Sequence, residues 1–248
     1  MTYCVGLYLD EGLVMLADTR TNAGMDNIST YSKTFTWEVP GERVITLMTA
    51  GNLATTQATV NIIEEGLIPE SDPEGQPVTM STVPSLFEAA RLVGQAVRQV
   101  YKNDAEVMKA QDTPFSASFL LGGQIKGRRM RLFQIYAAGN FISATPETPF
   151  LQIGEHKYGK PILDRALAYE RTGLMDGVKL ALISMDSTLR SNLSVGFPLD
   201  LVVYERDGYA LKLKTRIEEN DEYVNRLSAH WSDALRKAFQ SFPYPEWS

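Results

Sequence analysis

Thr2 is the residue whose position in the sequence first predicts a chemical role. Removal of Met1, which is usual before a small second residue, would leave this threonine with a free α-amino group beside its hydroxyl. An unperturbed α-amine has a pKa of about 7.7–8.0, so it can accept a proton near neutral pH. Thr2 would then be a nucleophile that carries its own base, a form of covalent catalysis that needs no histidine.

Such a nucleophile needs three further groups, and the sequence offers a candidate for each. Lys33 could keep the amine neutral and lower the pKa of the hydroxyl, and Asp18 could orient that lysine. The backbone N–H of Gly51 could stabilise the oxyanion. Each candidate lies at an end of a predicted strand, and because ends of adjacent strands can converge at one edge of a sheet, we expect them near Thr2. On composition alone, however, all four would be ordinary turn and surface residues.

Other catalytic constellations are not found in the sequence. The two histidines, His156 and His230, do not have the spacing of metal ligands. His156 could act as a general base, but no G-x-S-x-G serine motif accompanies it. His230 lies in a helical pattern and Cys4 in a strand pattern, so both are interpreted as packing or surface residues. The sequence also contains no P-loop and no dinucleotide fingerprint.

Composition narrows the class of protein. The 248-residue chain has a formal net charge of −6, which argues against nucleic acid as a partner, and its one basic cluster at 126–131 fits a turn. The single cysteine excludes an internal disulfide and fits a reducing compartment. No apolar stretch is long enough to span a bilayer, and the N-terminus lacks the pattern of a secretory signal. The sequence therefore predicts a cytoplasmic protein with no membrane partner.

The elements that must position these residues follow from hydrophobic periodicity. Strands are predicted at 3–9, 13–18, 34–39, 43–49, 115–122, 130–137 and 140–144, and a hairpin at 199–217. Helices are predicted at 53–65, 85–110, 157–170, 175–189 and 221–239. Residues 68–84 contain four prolines and are interpreted as an exposed loop. This order predicts an α+β protein with helices outside packed sheets, forming one domain over 1–248 with a C-terminal helical extension from about 218.

The spacing around Thr2 resembles that of proteasome β-type subunits, which belong to the N-terminal nucleophile hydrolases. In that family a motif D-[ST]-R-x-[TN]-x-G follows the threonine, and residues 18–24 read DTRTNAG. Residues 31–33 (YSK) match the segment that bears the catalytic lysine, and residues 47–51 (LMTAG) match the strand whose glycine forms the oxyanion hole. The resemblance implies a four-layer αββα sandwich over essentially the whole chain.

The resemblance also implies site residues. Thr2 would attack the scissile carbonyl while Asp18 fixes Lys33 and Gly51 donates to the oxyanion. Ser194 matches the family's supporting serine. The residues implied to contact substrate are Asn22 and Leu53, which would bind the peptide backbone as an added strand, and Thr21, Thr49 and again Leu53, which would line the pocket for the residue before the cleaved bond.

Within this superfamily, residues 154–165 and 191–201 look like segments of the bacterial branch called Anbu, the ancestral β-subunit. Two positions depart from the proteasome pattern. Glu155 stands where proteasomes have a serine, and Ser191 stands where they have an aspartate. These replacements change the groups expected around the α-amine.

A threonine-type peptidase acting on peptides or unfolded proteins is the function that the resemblance implies. We expect a large homo-oligomer, a ring or a helix, with the apolar-rich helices at 53–65 and 85–110 as contact faces. Two alternatives stay open: an N-terminal nucleophile amidohydrolase acting on small amides, and a weakly active or non-catalytic assembly subunit. Only the non-catalytic subunit is disfavoured, because α-type proteasome subunits carry a helical extension ahead of the first strand and none is expected in this sequence. The resemblance implies no metal and no cofactor, and it names no unfoldase partner.

Overall fold

The computed structural model describes residues 2–22 and 28–247, the side chains of Asn22 and Ile28 excepted. Its strands are β1 Tyr3–Leu9, β2 Gly12–Asp18, β3 Arg20–Asn22, β4 Ile28–Thr30, β5 Thr34–Val39, β6 Arg43–Gly51, β7 Ala117–Ile125, β8 Arg131–Ile135, β9 Phe141–Ser143, β10 Phe150–Gly154, β11 Leu199–Glu205 and β12 Leu211–Ile217. Its helices are α1 Leu53–Glu65, α2 Leu86–Ala110, α3 Lys160–Ala166, α4 Leu174–Ser191 and α5 Glu222–Ser241.

The strands form two antiparallel five-stranded sheets and one small hairpin. The first sheet has the order β10-β1-β2-β11-β12, and the second has the order β5-β6-β7-β8-β9. β3 and β4 pair with each other beside the two sheets. β1 therefore lies inside the first sheet, between β10 and β2.

Three apolar clusters show how the sheets and helices stack. One cluster joins α1 and α2 to the second sheet through residues such as Ile63, Val93 and Phe119. Another joins α3 and α4 to the first sheet. The third lies between the two sheets and includes Cys4 and Leu120. The chain thus has the predicted α+β architecture, with four layers in the order helices, sheet, sheet, helices.

Local sequence explains where the helices begin. Asn52, Ser85 and Asp221 precede α1, α2 and α5, and each side chain accepts a hydrogen bond from the backbone N–H three residues later. This is the preferred arrangement at a helix N-terminus, where backbone donors otherwise lack partners. The cap at Asn52 matters for the site because it starts α1 directly after the end of β6.

The structure corrects several local expectations. Residues 68–84 are not uniformly exposed, because Met80 and Val83 are buried and Val78 pairs with Leu67. The helix expected at 157–170 is restricted to α3, and the β3–β4 hairpin was not predicted. Spacing along the chain could not show the burial within residues 68–84, because it depends on which distant elements cover the segment.

The apolar face of the second helix, predicted as a contact face, is largely internal. In α2 the apolar positions from Leu86 to Val100 pack into the core, whereas Phe87, Tyr101 and Val107 are exposed. None of the helices in the described part of the chain is both long and apolar enough to cross a membrane.

Candidate active site

Thr2 is held in place by hydrogen bonds on both sides of β1. Its carbonyl accepts a hydrogen bond from the Glu155 N–H at 2.7 Å. The next residue, Tyr3, donates its N–H to Asp18 Oδ1 at 3.0 Å. Thr2 is only 8% exposed. The start of β1 is therefore anchored to β2 on one side and to the end of β10 on the other.

Asp18 and Lys33 form a buried ion pair. Lys33 Nζ donates to Asp18 Oδ1 at 2.7 Å and to the Arg20 carbonyl at 2.7 Å. The second oxygen of Asp18 accepts a hydrogen bond from the Gly196 N–H at 3.2 Å. Burial raises the pKa of the Asp18 carboxyl, and the ammonium of Lys33 together with the two backbone donors acts in the opposite direction. The pair thus holds a cation at a fixed place beneath the N-terminus.

The structure brings these residues together between two sheets rather than along one edge. Asp18 ends β2 in the first sheet, whereas Lys33 precedes β5 in the second. The expectation of a single sheet edge was therefore wrong. The closeness arises because the two sheets face each other, and the ends of their strands meet at the same end of the sandwich.

Gly51 occupies a position that requires glycine. Its φ is +122°, and a Cβ there would collide with the carbonyl of Ser116, the residue directly before the neighbouring strand β7. Only glycine adopts this conformation without strain and allows such a close backbone approach. The bend ends β6 and places the N-terminus of α1 beside the site.

A cleft of about 660 Å³ opens over these residues, and most of the predicted site residues line it. Thr2 and Lys33 lie in it with Gly51. The predicted substrate contacts Thr21, Thr49 and Leu53 are also lining residues. Within residues 2–22 and 28–247, the hydroxyl oxygen of Thr21 is buried without a hydrogen-bond partner.

Two predicted residues, Asp18 and Ser194, are not among those that line the cleft, although Asp18 contacts the lining residue Lys33. The side chain of Asn22 lies outside the described residues, as does Gly24 of the motif. Ser194 lies in the loop between α4 and β11, where its N–H donates to Asn192 Oδ1 at 2.9 Å. The same loop reaches the ion pair through Gly196 instead.

Glu155 and Asn192 are the most notable additions to the predicted set. Glu155 lines the cleft, and its carboxylate accepts a hydrogen bond from Asn192 Nδ2 at 2.9 Å. Ser116, directly before β7, and Ser118, the second residue of β7, also line the cleft. The alternation of small polar residues in residues 115–119 (FSASF) is a signal that could have indicated these two serines.

Metal ligands are not gathered anywhere in the part of the chain that the structure describes, since no group of three or more His, Cys, Asp or Glu residues is placed to hold an ion. The site instead offers a hydroxyl, an ammonium, carboxylates and a backbone donor around one cleft. These are groups for nucleophilic attack and proton transfer.

Comparison with known families defines the class of this fold and site. A family model described as a proteasome subunit matches residues 2–203. The match contains every predicted site residue and ends within β11, so α5 lies beyond it. The chain therefore belongs to the proteasome subunit family.

Solved structures place the resemblance within one branch of that family. An Anbu (Gly-1) mutant from Hyphomicrobium sp. strain MC1 has 53% sequence identity and a TM-score of 0.90, with 100% of both chains covered. Anbu from Yersinia bercovieri has 45% identity and a TM-score of 0.89, covering 99% of this chain and 100% of that one. A structure named "Helical Assembly of the Anbu Complex", from Pseudomonas aeruginosa, has 45% identity and a TM-score of 0.88, with 98% of each chain covered. These likenesses confirm the predicted Anbu resemblance. A search of the curated proteins gives no match.

Proposed function

We propose that this chain is a threonine peptidase of the N-terminal nucleophile type, with Thr2 as its nucleophile. The observation that carries the proposal is the buried Asp18–Lys33 pair at the same cleft as Thr2. A buried ion pair is weak evidence for stability, because desolvation offsets much of its attraction. Its position at the open cleft is better explained by chemistry than by folding.

The proposed reaction begins when Met1 has been removed. The Thr2 Oγ1 attacks the carbonyl carbon of the substrate, and the hydroxyl proton moves to the α-amine. The same proton then goes to the leaving amine, an ester forms on Oγ1, and water hydrolyses that ester to regenerate the threonine. The Gly51 N–H donates to the oxyanion during both steps.

Lys33 supplies the positive charge for this reaction. An ammonium group has three N–H donors, and among the described residues its hydrogen-bond partners are Asp18 and the Arg20 carbonyl. Lys33 also lines the cleft, and we propose that its remaining donor faces the α-amine there. A cation there favours the neutral amine and the developing alkoxide. Asp18 then acts by positioning Lys33, and Ser194 supports the same loop that supplies the Gly196 donor.

An extended peptide is the substrate form that the cleft lining favours. The hydroxyl of Thr21, which is buried without a partner in the described structure, could bond to a peptide backbone group. Thr49 and Leu53 would then contact the side chain that precedes the cleaved bond. Asn22, which follows Thr21 in β3, is also proposed to bind the backbone of the peptide.

A substrate screen tests this proposal. Unfolded proteins, short peptides and small amides would be incubated with the wild-type chain and with Thr2→Ala, and products would be detected by mass spectrometry. We expect peptide cleavage by the wild type and none by Thr2→Ala, with Thr82→Ala, an exposed threonine outside the cleft, as the matched control. Hydrolysis of small amides alone would favour the amidohydrolase alternative, and equal activity in Thr2→Ala would contradict the mechanism.

We also propose that the chain works as a homo-oligomer. The P. aeruginosa relative is described as a helical assembly. In this chain, apolar side chains of α5 continue at helical spacing from the buried Val224 and the half-buried Trp231 to the exposed Leu235 and Phe239. The tail beyond α5 exposes Tyr244 and Trp247 as well. An apolar stripe that runs from the core into solvent indicates a contact with another subunit.

A further inference from the structure

Glu155 stands directly opposite Thr2 in the first sheet. The antiparallel register of β1 and β10 pairs Tyr3 with Gly154, and the next pair in that register is Thr2 with Glu155. The 2.7 Å hydrogen bond from the Glu155 N–H to the Thr2 carbonyl shows that the pairing continues to this position. Side chains of directly opposed residues lie on one face of a sheet, with Cβ atoms about 5 Å apart. Both residues accordingly line the same cleft.

The backbone before Glu155 is shaped to allow this closeness. Gly154 has a φ of +79°, and a Cβ at that position would collide with the Thr2 carbonyl. Glycine is therefore required where the end of β10 turns across the start of β1. The turn brings Glu155 to the N-terminus rather than away from it.

The Glu155 carboxylate is held inside the cleft and is only partly neutralised. Glu155 is 8% exposed. One oxygen accepts the amide of Asn192 at 2.9 Å, and the other lies 3.2 Å from Lys157 Nζ, whose side chain is 62% exposed. A carboxylate has about four lone-pair sites, so these two contacts leave room for another donor.

The geometry points to the Glu155 carboxylate as the group that positions the α-amino group of Thr2 after Met1 has been removed. This inference rests on the proposed function, since the amine matters only if Thr2 becomes the first residue. It assigns a role to Glu155, which stands where proteasomes have a serine. Asn192 would orient the carboxylate, and Glu155 would act on catalysis through the amine rather than on the substrate.

Within residues 2–22 and 28–247, three charged side chains contact the start of β1 or line the cleft beside it, and their balance predicts a dependence on pH. Asp18 from β2 and Lys33 from the segment before β5 largely neutralise each other at 2.7 Å. The negative charge of Glu155 is left, and it is partly offset by Lys157 at the surface. The ring of the exposed His156 is hydrogen-bonded to the Gly154 carbonyl. A nearby carboxylate favours the protonated amine, so Glu155 raises the pH at which Thr2 becomes a competent base.

The neighbouring titratable groups of β1 stay neutral in this range. Burial raises the pKa of the Tyr3 phenol to about 12 and raises that of the Cys4 thiol as well. Neither group therefore changes charge near neutral pH, and neither can mask the effect of Glu155.

The test measures the α-amine directly and needs no turnover. Each protein would be released from a cleavable N-terminal fusion that leaves Thr2 first, and then treated with acetic anhydride over a range of pH. Mass spectrometry of the N-terminal peptide gives the rate of N-acetylation, which follows the unprotonated fraction. We expect the midpoint of Glu155→Gln to fall by about one pH unit or more, so that labelling at pH 6 is about tenfold faster than in the wild type.

Two further variants make the result specific. Glu155→Asp keeps the charge and should stay within about half a unit of the wild type. Glu170→Gln removes an exposed carboxylate outside the cleft and should change nothing. An unchanged midpoint in a folded Glu155→Gln would overturn the inference. If that variant does not fold, Lys157→Gln decides, because loss of this cation should raise the midpoint and an unchanged value contradicts the role of Glu155.

The acid limb of kcat/KM separates this inference from the proposed function. In an active enzyme, the acid limb of kcat/KM for Glu155→Gln should shift by the same amount as the labelling midpoint. If Glu155 had only a structural role, the two would not need to shift together. A midpoint shift in a protein that cleaves no substrate would support the role of Glu155 while contradicting the peptidase proposal. Normal peptidase activity with an unchanged labelling midpoint would support the peptidase proposal and contradict the role of Glu155.

Discussion

The two ends of this chain depart from the usual distribution of polar and apolar side chains in opposite directions. At the N-terminal end, Thr2, Asp18 and Lys33 are almost completely buried. At the C-terminal end, Phe239 and Trp247 are 77% and 91% exposed. Buried polar groups and exposed large apolar groups are the informative exceptions in a folded protein.

The two exceptions have different physical explanations. The polar groups at the N-terminal end satisfy one another, because Asp18 accepts hydrogen bonds from Lys33 and from two backbone donors. Leu235 and Phe239 of α5 are left exposed by the residues that the structure describes, since the helix continues past the surface on which Val224 is buried. One end is thus completed within the chain, and the other is proposed to be completed by a second subunit.

The largest expected effect comes from blocking the N-terminus. A residue retained ahead of Thr2 would convert its amine into an amide, which cannot accept the hydroxyl proton at neutral pH. We expect complete loss of peptide hydrolysis for an uncleaved N-terminal fusion, and recovery after cleavage that leaves Thr2 first. Turnover by a protein whose intact mass still includes Met1 would rule out the nucleophile assigned here.

Breaking the buried ion pair should affect both activity and stability. Lys33→Ala removes the cation and leaves the Asp18 charge buried without it, which costs about 3–5 kcal/mol. For a chain of this size that corresponds to a Tm lower by roughly 10 °C. The loss of activity should be about 100-fold or more. Lys33→Arg should also fail, because a guanidinium stays charged and is bulkier.

An exposed ion pair provides the matched control for Lys33. Lys160 and Asp164 lie 2.6 Å apart, with side chains 49% and 46% exposed. Exposed pairs of this kind contribute little to stability. Calorimetry should therefore show no measurable change in Tm for Lys160→Ala, and a similar Tm for Lys33→Ala and Lys160→Ala would argue against the importance of burial at Asp18.

At the C-terminal end, the expected change is in assembly rather than in folding. Leu235 and Phe239 are four residues apart and share a face of α5. The double variant Leu235→Ser and Phe239→Ser should lower the mass measured by light scattering at micromolar concentration, with little change in Tm. Leu193→Ser, at an 88% exposed loop residue, is the control. A wild-type chain that is a stable monomer would refute the assembly proposal.

The smallest expected effect concerns a neutral polar group in β1. The phenol of Tyr3 is fully buried and lies 2.6 Å from Ser184 Oγ. Tyr3→Phe removes this hydrogen bond and the one that the phenol oxygen accepts from Gln152 Nε2, and the net contribution of the two should be about 1–2 kcal/mol. Urea denaturation should show a lower midpoint with an unchanged slope. A urea midpoint equal to that of the wild type would indicate that the hydrogen bonding of the Tyr3 phenol contributes no net stability.

Most of the secondary structure could be predicted because it is encoded locally. The strand at residues 3–9 and the helix at 53–65 agree with β1 and α1 because each carries its own periodicity and its own turn or cap residues. The candidate site residues could also be named from the sequence, since their spacing resembles a known motif. The β3–β4 hairpin was missed because its strands are too short to show a period.

The sequence by itself therefore determined the residue types that could do chemistry and the strands that carry them. Only the tertiary structure decided that Asp18 and Lys33 meet across two facing sheets, and that Glu155 stands opposite Thr2. Periodicity reports which face of an element is apolar, whereas register and sheet packing decide which distant residue lies against it. Thr2 and Glu155 are far apart along the chain, so their pairing exists only once β10 has joined β1.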